Sequence, residues 1–509
     1  MKSLRVFFLL MLFGGPVVFS AGKNVGGYVF HDINQNGIKD AGEPGVGGVC
    51  VSNGEVVVRS GADGKWALED SGSSALFVIK PAGYRVPVNR EMIPQHFFRQ
   101  KGETPEHGIN FPLIATAENR EFTALFFGDP QARGLKEVNY INHDVVEELI
   151  GTDALFGVSL GDITADGPAL FQAINQGIAQ IGIPWYNTFG NHDYDRDAPT
   201  DGEKTATYEQ VYGPSTYAFE YGEVVFIDLN NIHFTPNGRY TSRFSERQLN
   251  FVKNYLTFVP AGKLVVLMMH VPVVVCENRD QLLALISNRE HTFSVSGHAH
   301  EQINLFVGPA MGWKGAGDHH HLVNGAVCGS WWCGALDEVN IPHATMNDGT
   351  PNGYSVVHFS GNSYRVRFKA ARRPENYQMN IYLADDVVLS DRQSRQVLVN
   401  VFAGSPRSVV EMQLSGEGSW LKMEPAEVPD PECARMYALN PFLQEKVNGK
   451  VLEEVLGYLM DEPSISRHIW RGELPQNLLP GTYTLKVRTT DLFGQTWTSA
   501  RVFRISAKL

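Results

Sequence analysis

Five short stretches in the middle of this 509-residue chain carry side chains that can do chemistry. They are Gly128-Asp129-Pro130-Gln131, Gly161-Asp162, Gly190-Asn191-His192-Asp193, the His270 of Met269-His270-Val271-Pro272, and Gly297-His298-Ala299-His300. Carboxylate, amide and imidazole donors together suit hard or borderline divalent cations (Mn, Fe, Zn or Mg) rather than thiolate-seeking ones. A pair of such cations about 3.5–4 Å apart needs a carboxylate between them, and Asp162 is the natural candidate. Each stretch alone says little. A Gly-Asp pair is usually a turn, and a lone histidine is usually a satisfied core or surface residue. All five in one zone of the chain say more.

The elements that must position these residues are legible around them. Apolar runs at 122–127, 155–160, 185–189, 263–269 and 292–295 alternate with helix-like segments at 135–150, 168–181, 245–258 and 279–287, with Ser245 placed as an N-cap. Strand–helix–strand alternation predicts an α/β domain whose sheet is largely parallel near its centre. Most of the five stretches directly follow an apolar run. Loops at the carboxyl ends of such strands converge on one crevice.

In this order the set resembles the calcineurin-like metallophosphoesterase superfamily, whose pattern is D-x-H, G-D, G-N-H-[DE], H and G-H-x-H. The resemblance covers most of residues 119–373. It implies an αββα sandwich, two divalent metals and a phosphate-ester substrate. Asp129, Gln131, Asp162 and His300 would serve the first metal, and Asp162, Asn191, His270 and His298 the second. His192 matches the general acid, with Asp193 orienting it. Attack would come from a hydroxide bridging the two metals, with no covalent intermediate. One position departs from the pattern: Gln131 stands where the second residue after Asp129 should be histidine. Its amide oxygen can ligate a hard cation, but more weakly than imidazole. A role in hydrogen bonding alone is the other reading.

The flanks read differently. Residues 23–116 hold short alternating runs separated by Asn53-Gly54 and Asp63-Gly64, which predicts a small antiparallel sandwich. Within it, Asp32, Asn34, Asn36, Ile38, Asp40 and Glu43 fit a twelve-residue calcium loop, with Gly37 at its sixth position. No helix pattern flanks that loop, so it resembles the calcium loops of bacterial surface sandwiches. An ion-free Asx-rich hairpin is the alternative. Residues 376–509 predict a second β-sandwich interrupted by a helical insert at 440–459. The whole arrangement resembles the secreted, Bacteroidetes-type, three-domain calcineurin-like proteins. Supporting stretches lie at 324–327, 348–354, 481–484 and 490–494.

Between His300 and Tyr354 runs a long Gly- and His-rich segment with Asp318-His319-His320-His321 and Cys328-Gly329-Ser330-Trp331-Trp332-Cys333. Trp331 and Trp332 are candidates for a substrate wall, or equally for packing under the neighbouring sandwich. Strand alternation would turn His320 away from its neighbours, and the three histidines are not taken as ligands. Cys328 and Cys333 are near enough in sequence to pair in an oxidising compartment.

Composition bounds the rest. A net charge of −12, from 43 Lys+Arg and 55 Asp+Glu, argues against non-specific nucleic-acid or anionic-membrane binding. Five cysteines are too few for a disulfide scaffold. Lys2 and Arg5, the apolar run 6–19 and the small residues at 20–22 read as a signal peptide, residues 1–20, and hence a periplasmic or secreted protein without a membrane span. Two rival readings stand beside the esterase: a surface or glycan-binding protein with a relic core, and a protein phosphatase.

Overall fold

The computed structural model describes residues 23–70, 74–100, 105, 107–117, 120–235, 238–415, 418–443, 446–447, 450–451 and 457–506. The expected signal peptide lies outside the described residues.

Two facing sheets form the central domain. The first has five strands in the order Trp185–Asn187, Phe156–Ser159, Glu121–Phe127, Gly353–Ser360 and Ser363–Ala370. The second has six, in the order Thr216–Tyr221, Val224–Leu229, Leu264–Met268, Thr292–Ser296, His319–Val323 and Ile303–Val307. In the second sheet the four inner strands are parallel and both edges antiparallel; in the first, Trp185–Asn187, Phe156–Ser159 and Glu121–Phe127 run parallel, and Gly353–Ser360 and Ser363–Ala370 continue the sheet antiparallel. Parallel strands must be covered on both faces, and these are. Phe126, Phe156, Phe226 and Leu267 fill the space between the sheets. Helices Leu135–Ile141 and Phe171–Ile178 cover the first sheet with Val138, Ile141, Phe171 and Ile174. Helices Glu246–Leu256 and Arg279–Ile286 cover the second with Leu249, Val252, Leu282 and Ile286. The αββα sandwich expected from the resemblance is present.

Ser245 caps its helix as expected, within a full capping box with Gln248, a device that stabilises a helix start by about 1 kcal/mol.

Register delivers the functional loops to one edge. Phe127, Ser159 and Asn187 are aligned across the first sheet, so the chain after each leaves at the same level. Met268 and Val295 are aligned in the second, so His270 and His298 leave together as well. Beneath the His298 loop runs a buried polar ladder. Thr292, Ser294 and Ser296 alternate with His319 and His321 at 2.7–3.1 Å, tying the two strands together just before Gly297. Burial depresses His319 to about 4 and His321 well below its ordinary value, so both stay neutral. His320 faces the other way, to Tyr364 and Asn304.

The N-terminal region is a sandwich of two four-stranded sheets. It is mixed rather than purely antiparallel, because the strand Lys23–His31 pairs in parallel with Phe111–Ala115. The C-terminal region is also a sandwich, of four- and five-stranded sheets around Val397, Val399, Trp470 and Val487. The helical insert expected at 440–459 is not what forms. Within the described residues a short helix, Pro431–Tyr437, precedes one turn at Asn440–Leu443, followed by two-residue strands at Lys446–Val447 and Lys450–Val451. Asp430 caps the first of these helices, with Pro431 at its opening position. Those start signals lie ten residues upstream of the expected insert.

The C-terminal sandwich touches the site indirectly. His468 and Asn400 bond, and His468 meets Asp348 at 3.0 Å, while Asp348 accepts the backbone N–H of Gln302, two residues past His300.

Candidate metal centre

The loops after these strands are bent in ways that most side chains resist. Twelve described non-glycine residues have positive φ, and seven of them meet here: Asp129, Gln131, Asp162, His298, His300, Trp331 and Trp332. Each such conformation costs about 1–3 kcal/mol and persists only where the surroundings over-determine it. Two glycines make room for the bends. A Cβ on Gly190 would lie 2.0 Å from the backbone nitrogen of Asp162, and one on Gly161 (φ +90°) would lie 2.5 Å from the His270 ring.

Each of the four imidazoles has one ring nitrogen engaged outside the centre, and His270, His298 and His300 direct the other into it. The Nδ1 of His192, His270 and His300 meet the carbonyls of Ala165 (2.7 Å), Leu160 (2.8 Å) and Gly329 (2.7 Å). In the neutral ring, donation from Nδ1 leaves Nε2 as the lone-pair nitrogen. His298 is reversed: its Nε2 lies 3.4 Å from the Tyr240 hydroxyl and its Nδ1 points inward.

The inward atoms converge. His270 Nε2 lies 3.0 Å from Asn191 Oδ1, 3.2 Å from Asp162 Oδ2 and 3.2 Å from His298 Nδ1. Among the described residues, Asp162, His270 and His298 form the one group of three His, Cys, Asp or Glu with ligand atoms all within 4.8 Å. Beside them, His300 Nε2 lies 3.7 Å from Asp129 Oδ1. Asp129, Asp162 and His270 are essentially inaccessible to solvent, at 0%, 2% and 0% exposure, so no bulk water neutralises the two carboxylates.

The electrostatics describe a pocket short of positive charge. Burial raises Asp129 to about 7, with Asp162 adding to the rise against the pull of His270. Burial would also raise Asp162, but the charge and hydrogen bond of His270 outweigh it and hold it at about 2. His270 is driven to about 9, because Asp162 and Asp129 overcome the burial that would lower it. Burial and the neighbouring His270 keep His298 near 3, and burial keeps His300 near 4, so both are neutral donors at ordinary pH. Two buried carboxylates, an amide oxygen and three inward imidazole nitrogens fit divalent cations well.

Models of three calcineurin-like phosphoesterase segments match the chain. The phosphoesterase domain itself matches residues 122–302, its N-terminal companion 33–116 and its C-terminal companion 321–497. The chain belongs to the calcineurin-like phosphoesterases. It is therefore a phosphoric ester hydrolase, and its family implies divalent metal ions. No curated protein matches the chain. Among solved structures, a purple acid phosphatase from yellow lupin seeds is 12% identical, with a TM-score of 0.37, over 64% of this chain and 67% of that one. The spore cortex lytic enzyme SleM of Clostridium perfringens is 10% identical, with a TM-score of 0.20, over 76% of this chain and 99% of that one.

The remaining candidate residues divide. Gln131 is in the centre, 1% exposed, with its Nε2 donating to Asp162 Oδ2 at 3.2 Å and its Oε1 facing Cys328 Sγ at 3.7 Å. So placed, its amide nitrogen faces the Asp162 carboxylate and its amide oxygen faces the Cys328 thiol. Asp193 does not orient His192, because the Ala165 carbonyl does. Asp193 instead accepts the N–H groups of Thr164 and Gly190, joining two of the loops. Asp166 pairs with Arg196 across the same loops, more than half exposed.

The two tryptophans part ways. Trp332 is fully buried, packed on Tyr140 and donating Nε1 to the Pro130 carbonyl, so it cannot be a substrate wall. Trp331 is at the centre, stacked on His300 and edge-on to His192. Cys328 and Cys333 are both free, as are the other three cysteines.

In the N-terminal loop, Asp32 accepts the N–H groups of Asn36 and Gly37, and Glu43 those of Ile33 and Asp40. Asp40 accepts the amides of Asn34 and Asn36, which lower its pKa. These bonds gather the loop's carboxylates and amides on its own backbone N–H groups.

Sequence reading missed Tyr240 and the three anchoring carbonyls. Backbone oxygens carry no residue signature, and Tyr240 sits on a hairpin, Ile232–Phe234 with Tyr240–Ser242, far from any motif.

Proposed function

We propose that this phosphoesterase hydrolyses small phosphoric esters, diester or monoester, outside the cytoplasm and with two divalent cations. The observation that carries the reading is the convergence of Asp162, Asn191, His270 and His298 with each imidazole anchored in the ligand tautomer. Such complete outer support tells against a relic core.

Asp129, Asp162 and His300 would hold the first cation, and Asp162, Asn191, His270 and His298 the second. When bound, such a pair supplies charge neutralisation for phosphoryl oxygens and a water activated near neutral pH. The chain's own part begins with His192, which is partly exposed and hence reachable by substrate. With Nδ1 held by Ala165, its Nε2 is the atom that would carry the proton given to the departing oxygen. Tyr240 and Trp331 border the two sides of the centre and restrict what can enter. The acidic N-terminal loop would take a calcium ion in a structural role, and the amino-terminal leader supports export.

Elemental analysis of the purified protein, followed by assays on p-nitrophenyl phosphate and bis(p-nitrophenyl) phosphate with added Mn²⁺, tests the reading. Up to two transition metals per chain and turnover of at least one ester are expected, and His192→Ala should remove turnover without loss of metal. A folded protein that binds no transition metal and cleaves neither ester would sink it.

A further inference from the structure

The indole of Trp331 lies against two histidines that belong to different parts of the reaction. Its ring stacks on His300 with centroids 5.2 Å apart and planes 19° from parallel, and it meets His192 edge-on at 5.3 Å and 83°. His300 is the imidazole on the Asp129 side of the centre, and His192 is the proton carrier. Both already donate Nδ1 to a carbonyl. A ring so anchored at one nitrogen can still swing about that bond, and a flat partner on its face opposes the swing.

The segment 326–332 is built to present that indole. Val327 and Cys328 donate their N–H groups to the carbonyls of Gly128 and Asp129, tying the segment to the first functional loop. Gly329 supplies the carbonyl that holds His300. It has φ +55°, and a Cβ there would lie 1.5 Å from the Ala344 carbonyl oxygen, so only glycine fits. Trp331 and Trp332 then follow with φ +60° and +53°, two aromatic residues in succession in a conformation that L side chains avoid. Two contacts hold them there. Trp332 is sunk in the core with Nε1 on the Pro130 carbonyl, and the Trp331 carbonyl accepts from Arg133 Nη2 at 2.6 Å. The buried tryptophan is the anchor and the half-buried one is what it aims. Held strain of this kind is a pointer to function.

We infer that Trp331 is a positioning residue of the reaction: its face locks the ring of His300 with Nε2 on the centre, and its contact with His192 limits where that ring can turn. The inference rests on the hydrolase reading for the role of His192, but not for that of His300. Its position also makes up for Gln131, because the Asp129 side has one imidazole where the family pattern has two.

The test compares Trp331→Gly, which removes the indole while accepting the left-handed backbone, with Trp331→Phe, which keeps a ring. Cation-stripped proteins are titrated with Mn²⁺ by calorimetry, and p-nitrophenyl phosphate kinetics are measured alongside. Loss of an outer-shell partner weakens metal binding about 10–100-fold. That loss is expected for Trp331→Gly at one of two sites, with kcat falling and KM nearly unchanged, and Trp331→Phe should recover most of both. Unchanged Mn²⁺ binding in Trp331→Gly overturns the inference. So does a rise in KM at constant kcat, which would make the indole a substrate wall, or a Trp331→Phe protein no better than Trp331→Gly. If the wild type cleaves no ester, the Mn²⁺ titration still decides this point while the hydrolase reading fails separately.

Discussion

The two halves of the metal centre are finished differently. On the His270 side the donors are complete: Asn191, His270 and His298 join the shared Asp162, and their atoms already lie 3.0–3.2 Å from His270 Nε2. On the Asp129 side one donor of the family pattern has become Gln131, whose amide nitrogen faces Asp162. That side is supported by packing: Cys328, Gly329 and Trp331, all from one segment, close around His300 and Gln131. The comparison shows that a cation site can be defined by its ligands or by what immobilises them, and that the second means is invisible to a ligand pattern.

The largest expected effect removes the distinction altogether. On the proposed reading Asp162 serves both halves, so Asp162→Asn should empty both and lower kcat/KM by three orders of magnitude or more, roughly 4 kcal/mol of barrier. Elemental analysis should show the loss of both cations in a protein that still melts cooperatively. Retention of one cation at full occupancy would mean that Asp162 is not shared.

Acidity should separate the halves next. A cation must displace whatever proton its ligands hold, so affinity falls as pH falls through a ligand's pKa, by about tenfold per pH unit for each proton displaced. Asp129 holds its proton below about 7 and His270 below about 9. On the Asp129 side, affinity should climb to about pH 7 and level off, while on the His270 side it should still be rising toward pH 9. Mn²⁺ titrations from pH 6 to 9 read both, and a single shared pH dependence would show that the halves do not titrate separately.

Restoring the family residue is a smaller change. Gln131→His should strengthen the Asp129 side alone, on the order of tenfold, the low end of what one such interaction is worth in metal affinity. It should leave the His270 side as it is. The same calorimetry measures it, and a gain on both sides would show that Gln131 acts through Asp162 rather than through its own place.

How much of this was legible follows from where each function resides. Asp129, Asp162, Asn191, His270, His298 and His300 were readable because their chemistry is in the side chain and their order follows parallel strands whose ends register forces together. The ring anchors at Leu160, Ala165 and Gly329 were not, because a carbonyl oxygen is the same on every residue. Asp193 was misread for a geometric reason. The turn after Asn191 points its carboxylate back at the N–H groups of Thr164 and Gly190, away from the neighbouring imidazole. Trp331 and Trp332 could not be told apart by type. Successive left-handed residues send one ring into the core and the other onto the centre, and nothing in the sequence announces that bend. The helix expected at 440–459 does not run through that span, where the described residues include strands at Lys446–Val447 and Lys450–Val451, and the capping signals sit upstream at Asp430-Pro431.

Tyr240 offers the smallest effect and the finest test of the comparison. Its hydroxyl lies 3.4 Å from His298 Nε2, long for a hydrogen bond, and it is the only partner of that nitrogen seen among the described residues. If His298 binds through Nδ1, its Nε2 carries the proton and donates to the phenol oxygen. Tyr240→Phe keeps the ring that packs edge-on against His298 and removes only that acceptor. The expected loss is no more than about tenfold in affinity, confined to the His270 side, because a bond this long lies at the weak end of outer-shell interactions. Trp331→Gly should do the reverse, weakening the His300 side alone. The two variants therefore form a pair in which each half loses its support from outside the ligand set. If combining them costs the product of the separate losses, the halves are independent above Asp162. If it costs more, the shared carboxylate transmits the disturbance, and the centre behaves as one site.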